Sequence, residues 1–321
     1  MKLLITGGCG FIGSNFIRHI LRKYPDYKII NLDKLTYAGN PENLRDIEKD
    51  NNYTFVQGDI CDNLLANKLI RACDYLVNFA ACTHVDRSIK DSKEFIKTNV
   101  LGVHTLLEAV RRNNHLKLFL HISTDEVYGS VLKGKSKETD NLKPNSPYAA
   151  SKAAGDLLIR SYYATYNLPV IITRSANNFG PFQYPEKVIP LFITNLLEGK
   201  KAPLYGDGLN ERDWLFVDDN CQAIDTVLHK GKTGGIYNIG AGNSKKNIKL
   251  TEKILEFLNK DKSFIKYVAD RPGHDRRYAL DCSQARNLGW KPAYSLSRGL
   301  KLTIDWYRNN PQWWKKIKKE N

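Results

Sequence analysis

Residues 122–152 carry the densest set of chemically able side chains. Ser123-Thr124-Asp125-Glu126 follows an apolar run, Leu116 to Ile122, and Tyr148-Ala149-Ala150-Ser151-Lys152 opens a helical pattern. A tyrosine and a lysine four apart on a helix share one face, one turn apart, so the ammonium can stand beside the phenol. Phenol titrates near ~10, and bringing it to about 7 takes roughly 4 kcal/mol. One ammonium ~4 Å away at an effective dielectric of ~20 supplies about that much. Tyr148 therefore reads as a base activated by Lys152. Adjacent strand residues point to opposite faces, so Asp125 and Glu126 can both enter one pocket only where the strand has just ended. Two neighbouring carboxylates split their titrations, one staying protonated as an acid and the other ionised as a base. The stretch offers three proton-transfer groups.

The elements that must position these groups alternate. Lys2 to Thr6 reads as a buried strand, followed by Gly7-Gly8-Cys9-Gly10-Phe11-Ile12-Gly13 and an amphipathic helix from Phe11 to Arg22. Glycines at 7, 10 and 13 permit a tight turn, close approach of backbone to a pyrophosphate, and close packing of helix on strand. The first helical turn then offers free N–H groups to phosphate. A second strand, Lys28 to Leu32, ends in Asp33, twenty residues beyond Gly13. A carboxylate there accepts hydrogen bonds from ribose hydroxyls and repels a 2'-phosphate, which favours NAD over NADP even with Lys34 adjacent. Strands at Tyr53–Gln57, Tyr75–Phe79, Leu116–Ser123 and Pro169–Arg174 alternate with helical patterns at Asp62–Ala72, Ser92–Arg112 and 148–166. The pattern predicts an α/β fold, a parallel sheet with helices on both faces and ligands at the carboxyl ends of its strands. Beyond residue 176 the alternation loosens, with helices expected at Val188–Leu197, Asp219–His229, Lys249–Leu258 and Arg298–Tyr307. Residues 1–176 are expected to form the NAD-binding domain, joined by returning segments near 213–239, and residues 177–321 a smaller substrate lobe.

At 321 residues with 42% hydrophobic content the chain can bury a full core. Its apolar runs are too short for a membrane span, and a strand begins at Met1 without a leader, so the expectation is a cytoplasmic protein. Six scattered cysteines lack Cys-x-x-Cys or metal-ligand spacing and read as free thiols, with no metal site. The net charge of +15 suits an anionic small molecule; no nucleic-acid motif accompanies it, and the dense run Lys315-Lys316-Ile317-Lys318-Lys319 reads as a solvated tail.

Taken together, these motifs resemble the extended short-chain dehydrogenase/reductases, a Rossmann-like family, and within them the dTDP-glucose 4,6-dehydratases. The resemblance runs from Gly7 to Trp313-Trp314. Thr124-Asp125-Glu126 narrows it to dehydratases, and Ala80-Ala81-Cys82-Thr83-His84-Val85-Asp86-Arg87-Ser88, the run from Asn177 to Lys187, and Arg271-Pro272-Gly273-His274-Asp275-Arg276-Arg277-Tyr278 are similar to that branch. It implies that Tyr148 takes the C4 hydroxyl proton as hydride passes to NAD, that Lys152 and Thr124 position phenolate, ribose and sugar, that Glu126 removes the C5 proton, and that Asp125 protonates the departing C6 hydroxyl. For the cofactor it implies Gly7, Gly10, Phe11, Ile12, Gly13, Asp33, Lys34, Thr36, Asp59, Ile60, Ala80, Ala81, Thr83, Thr98, Tyr148, Lys152 and Asn178. For the nucleotide sugar, dTDP-glucose, it implies Thr83, Thr124, Asn177, Lys187, Val188, Tyr205, Arg212, Asn247, Arg271 and His274. It also implies a homodimer with a two-fold four-helix contact. Cys9, Cys82 and Ala176 depart from the family's usual Ala, Glu and Ser, which touches cofactor affinity and not the proton-transfer groups.

The competing readings are a UDP-glucose 4,6-dehydratase, a nucleotide-sugar 4-epimerase, which would lack the carboxylate pair, and, from another class, a non-catalytic NAD-binding or nucleic-acid-associated protein. The cofactor reading has its own test. Asp33→Ala should weaken NAD binding by about tenfold, the cost of one lost hydrogen bond to a charged acceptor. Titration of the apoprotein with NAD measures this, and unchanged affinity would mean that the second strand is misplaced.

Overall fold

The computed structural model describes residues 1–319. Its first part is a strand–helix alternation: β1 (Lys2–Thr6), α1 (Phe11–Lys23), β2 (Lys28–Asp33), β3 (Tyr53–Gln57), α2 (Asn63–Arg71), β4 (Tyr75–Asn78), α3 (Val85–Lys90), α4 (Lys93–Ile96), α5 (Val103–Arg112), β5 (Leu118–Thr124), α6 (Pro147–Tyr166) and β6 (Val170–Ser175). The second part runs β7 (Asn177–Phe179), α7 (Val188–Leu197), β8 (Ala202–Tyr205), β9 (Glu211–Phe216), α8 (Val217–Lys230), β10 (Ile236–Ile239), β11 (Ser244–Lys246), α9 (Asn247–Phe257), β12 (Ile265–Val268), α10 (Ser283–Asn287), α11 (Leu296–Asn309) and α12 (Pro311–Lys319).

Seven strands make one sheet in the order β10-β6-β5-β4-β1-β2-β3, with parallel pairing throughout. Its strands alternate faces. Leu3, Ile5, Leu120 and Ile122 pack against Phe16, Ile17 and Ile20 of α1 and Ile224 and Val227 of α8. Leu4, Leu76, Phe119 and Ile172 pack against α2, α5 and α6 through Ile70, Leu106, Val110 and Ile159. Two covered faces explain why all seven residues of β5 are buried. The chain order reverses between β1 and β4, which opens a crevice at their carboxyl ends. The smaller lobe has its own core, in which Phe192, Ile254, Leu300, Tyr307 and Trp314 are buried together.

Three expectations need correction. Of the two segments near 213–239 expected to return to the main sheet, only β10 does, beside β6. Strand β9 instead lies between β7 and β11 in a separate three-stranded sheet. The helix expected over Ser92–Arg112 is broken by a π-helical segment, Lys97–Gly102. There the side chain of Asn99 turns inward to bind both the N–H and carbonyl of Cys82, at 2.9 and 3.0 Å, and the Ser151 hydroxyl at 2.9 Å; one extra residue in the turn makes room for it. The lysine-rich end is not a solvated tail. It forms the amphipathic α12, which buries Trp314 and Ile317, and Lys318 binds Glu198 at 2.9 Å and Asn195 at 3.0 Å.

Helix α1, whose N-terminus faces the crevice, is tied to α8 by one buried carboxylate. Asp225 receives Lys23 at 2.6 Å, His19 at 2.9 Å and the Tyr24 hydroxyl at 3.1 Å, and His229 lies 2.9 Å away. Burial raises its pKa, but hydrogen bonds from His19, His229 and Lys23 outweigh that and hold it well below the usual carboxylate range. Asp225→Asn should therefore cost about 2 kcal/mol of unfolding free energy in urea. The Asp225 contribution is complete above the unfolded carboxyl value of ~4 and is lost as pH falls from there toward its lowered folded value. His229, raised by the hydrogen bond to Asp225, adds stability present below its unfolded value of ~6.5 and lost as pH rises through its folded value. The gap between wild type and variant should narrow below about pH 4; a gap unchanged in acid would contradict this tether.

Candidate active site

Strand β5 ends at Thr124, and a 3-10 turn over Asp125–Tyr128 follows at once. The turn removes the strand alternation, so Asp125 and Glu126 both line the crevice beside Tyr148. The Thr124 hydroxyl accepts from the Glu126 N–H at 3.2 Å and caps the turn. Burial and the neighbouring Glu126 charge push the Asp125 carboxyl well above the usual range. Its Oδ2 is buried and has no hydrogen-bond partner. Burial also raises Glu126, but Arg271, Arg212 and Lys187 pull it back. Both carboxyls are thus raised, Asp125 well above its ordinary value and Glu126 against the pull of three cations that favour its ionised form.

Tyr148 and Lys152 sit on α6, which begins at Ser146 as N-cap and Pro147. The polar contacts of the lysine go to groups other than the phenol. Its Nζ donates to the Ile122 carbonyl at 2.7 Å and lies 3.4 Å from His121 Nε2. Burial lowers Lys152 to about 8 and, with the Lys152 charge, keeps His121 well below its ordinary value. The Tyr148 phenol is held above the ordinary range by burial and Glu126, and the groups that pull it down are the side chains of Thr83 and Thr124.

The crevice runs along the carboxyl ends of β1, β2, β4 and β5. Every residue expected at the cofactor lines it, from Gly7 and Gly10 through Asp33, Lys34, Thr36, Asp59, Ala81 and Thr98 to Asn178. Gly7 has a φ of +71°, and a Cβ on Gly13 would run into the Gly7 carbonyl. Helix α1 has no side-chain cap at Gly10, so its first N–H groups remain free for an anion. Asp33 accepts from the Cys9 and Leu35 N–H groups at 2.9 and 2.8 Å, and each oxygen keeps a second acceptor position. Asn178 Oδ1 is buried without a partner. This donor and acceptor set fits a dinucleotide. Lys34 pairs with Asp59 at 2.8 Å, which leaves it less able to hold a 2'-phosphate. Cys9 is buried and does not line the crevice, whereas Cys82 does.

A second cavity adjoins the first and collects Asn177, Lys187, Val188, Tyr205, Arg212, Asn247, Arg271 and His274. Arg212 is held by the Glu211 and Asp275 carbonyls, each at 2.8 Å, and stacks 4.2 Å over the Tyr278 ring. Buried Arg271 Nε and the Oδ1 atoms of Asn177 and Asn247 have no partners. Tyr205 and His274 meet edge to face at 6.1 Å, which forms an aromatic wall. Thr83 and Thr124 line the first cavity, and Thr83 is reached by Lys187 at 3.4 Å. The residues expected from sequence are therefore gathered into two connected cavities.

Sequence reasoning passed over several neighbours. His84 lines the second cavity with a φ of +91°, a conformation that is costly for a side chain with a Cβ and concentrates at functional sites. Burial and the Lys187 charge lower its imidazole to about 4. Tyr37 donates to the Thr83 carbonyl at 2.6 Å, and Glu186 lines both cavities. Glu186 and His84 stood inside conspicuous runs of sequence; nothing in a single sequence signals a positive φ or a carbonyl contact 46 residues away.

Residues 4–303 match a family model described as GDP-mannose 4,6 dehydratase. A dTDP-glucose 4,6-dehydratase of Streptomyces antibioticus is 50% identical over 99% of this chain and 96% of its own. The low-salt glycan biosynthesis protein Agl12 of Haloferax volcanii is 49% identical over 96% of this chain and 98% of its own. Among solved structures, DesIV of Streptomyces venezuelae, a dTDP-glucose 4,6-dehydratase with NAD and a second ligand bound, superposes with a TM-score of 0.96 at 50% identity, covering 99% of this chain and 100% of its own. With such similarity over nearly its whole length, the chain belongs to the GDP-mannose 4,6 dehydratase family of extended short-chain dehydrogenase/reductases, alongside the dTDP-glucose 4,6-dehydratases.

Proposed function

We propose that this chain is a hydro-lyase that converts dTDP-glucose to dTDP-4-keto-6-deoxyglucose with NAD as a tightly held cofactor. The observation that carries the reading is the pair Asp125 and Glu126, side by side in one cavity next to Tyr148, with Asp125 raised well above the ordinary carboxyl range and the rise of Glu126 opposed by Arg271, Arg212 and Lys187. A 4-epimerase needs no such pair. NAD, when bound, supplies the site that accepts hydride from C4 and returns it to C6. The residues assigned to it are those of the first cavity, Asp33 taking the ribose hydroxyls and the α1 N-terminus the pyrophosphate.

Each proton step falls to a side chain of this protein. Tyr148 takes the C4 hydroxyl proton, with Thr83 and Thr124 favouring its phenolate and Lys152 the buried ammonium one turn along the same helix. The ketone formed at C4 acidifies C5. Glu126, whose ionised form Arg271, Arg212 and Lys187 favour, removes that proton. Asp125 gives its proton to the C6 hydroxyl, which leaves as water. Arg212 and Arg271 offer planar donor forks to the diphosphate, joined by Lys187 and by Asn177 and Asn247. Val188, Tyr205 and His274 hold the base. In this reading residues 1–176 carry NAD and residues 177–321 the nucleotide sugar.

We assign a homodimer as well. Ile89, Ile96, Leu101, Leu157 and Tyr166 are between 40% and 56% exposed on α3, α4, the π segment and α6, more apolar surface than an isolated helical face ordinarily leaves in water. The six free thiols fit a reducing cytoplasm.

Two experiments test the reading. Glu126→Gln keeps the shape of the side chain and removes the base, so turnover should fall by about 10² to 10⁴. Absorbance near ~340 nm should meanwhile accumulate on the protein, because C4 oxidation survives. Tyr148→Phe should give no such absorbance, and the reverse pattern would exchange the two roles. Sedimentation should return a mass near two chains, falling to one in Leu157→Arg; a wild-type mass of one chain at micromolar concentration would contradict the dimer.

A further inference from the structure

One turn beyond Lys152, helix α6 carries a second buried charge. Asp156 stands four residues on, the spacing at which a lysine and a carboxylate on one helix ordinarily pair. Lys152 is 4% exposed and Asp156 1%, a setting in which their attraction is strong. Among the described residues no such pair forms. Asp156 Oδ2 accepts instead from Arg174 Nε at 2.9 Å, while its Oδ1 has no hydrogen-bond partner. The side chain within reach of both is His121 of β5, itself 1% exposed. Its Nε2 lies 3.4 Å from Lys152 Nζ and 3.8 Å from Asp156 Oδ1. The dehydratase reading gives this imidazole no task.

A chain of hydrogen bonds fixes which ring nitrogen holds the proton. The Ala80 N–H donates to the Thr6 hydroxyl at 3.4 Å, and that hydroxyl donates to Asn78 Oδ1 at 2.5 Å. Asn78 Nδ2 therefore meets His121 Nδ1 at 3.0 Å as a donor. With Nδ1 accepting, the hydrogen of the neutral ring is on Nε2. Burial and the Lys152 charge keep the ring neutral. An N–H has nothing to offer an ammonium, so its acceptor is the unpaired Asp156 oxygen. The charged groups about the ring are then Lys152 and Asp156 from α6, with Arg174 from β6 behind Asp156; β4 contributes the neutral Asn78, and β5 the Phe119 ring. We propose that His121 is a positioning residue for the first proton step: its Nε2–H occupies Asp156 and keeps that carboxylate from pairing with Lys152, so that the ammonium charge stays available to the phenolate of Tyr148. This rests on Tyr148 acting as the base in the dehydratase reading.

The test uses Glu126→Gln as its background, in which the rise in absorbance near ~340 nm reports C4 oxidation alone. Its rate at saturating dTDP-glucose is followed against pH without further change, with His121→Asn and with His121→Gln. Asparagine keeps a polar group at the Nδ1 position and none at Nε2, whereas the glutamine amide restores a donor there. In the Asn variant Asp156 is free to pair with Lys152. An opposite charge at that range raises the pKa of the ammonium and weakens its hold on the phenolate, so both limbs of the pH profile should move up by about one unit. On the acid limb that is about a tenfold loss of rate at a given pH. The Gln variant should keep the background profile. Unmoved limbs in the Asn variant overturn the proposal, and so does a Gln variant shifted as far as Asn, which would make the ring a matter of packing alone. Should neither variant fold, nitrogen NMR of the unsubstituted protein decides. The His121 ring, assigned through its own backbone, should stay neutral with its hydrogen on Nε2 from about pH 6 to 9; a charged ring or the Nδ1–H tautomer overturns the proposal. No absorbance rise in the background itself sinks the dehydratase reading and this proposal with it, whereas a rise whose profile ignores His121 sinks this proposal alone.

Discussion

Two carboxyl groups on neighbouring residues, closed off from water in one cavity, cannot both ionise at small cost. Much of the molecule can be understood as arranging for Asp125 and Glu126 to live with that constraint. The strand must stop at Thr124, or the side chains would point to opposite faces of the sheet. The turn that follows is pinned from beneath by a buried network: the Tyr128 hydroxyl donates to Asn238 of β10 at 2.8 Å and receives Arg174 of β6 at 2.7 Å, and Arg174 holds Asp156 of α6 at 2.9 Å. The turn after β5, strands β6 and β10 and helix α6 are thereby tied together by the same four residues.

The constraint also gives part of the positive charge a place. Arg212, Arg271 and Lys187 come from three separate segments and converge on Glu126. Asp125 lies deeper and feels Glu126 more than it feels Arg212. The same cations that pull Glu126 back also suit a diphosphate, so on the proposed reading one cluster has two tasks.

The main sheet was legible because its signals are local and repeated: buried strands such as β1 and β5, glycines at a helix start, and Asp33 at a strand end. Segments whose fate depends on distant partners were harder to read. Strand β9 is as buried as a core strand, and only its pairing with β7 and β11 removes it from the main sheet. The π turn at Lys97–Gly102 exists because Asn99 is drawn to Cys82 and Ser151, contacts that helical periodicity does not encode. In α12 the lysines dominate the composition, while Trp314 and Ile317 decide that it docks. The carboxylate pair was readable from two adjacent letters; the lysine's hydrogen bond to the Ile122 carbonyl was not, because a backbone acceptor has no letter of its own.

The most direct measurement follows one hydrogen. With dTDP-glucose carrying deuterium at C4, the account predicts that the label reappears at C6 of the product, that C5 acquires a hydrogen from solvent, and that NAD is not consumed. Label retained at C4 would make the chain an epimerase, and stoichiometric net reduction of NAD would contradict the dehydratase account altogether.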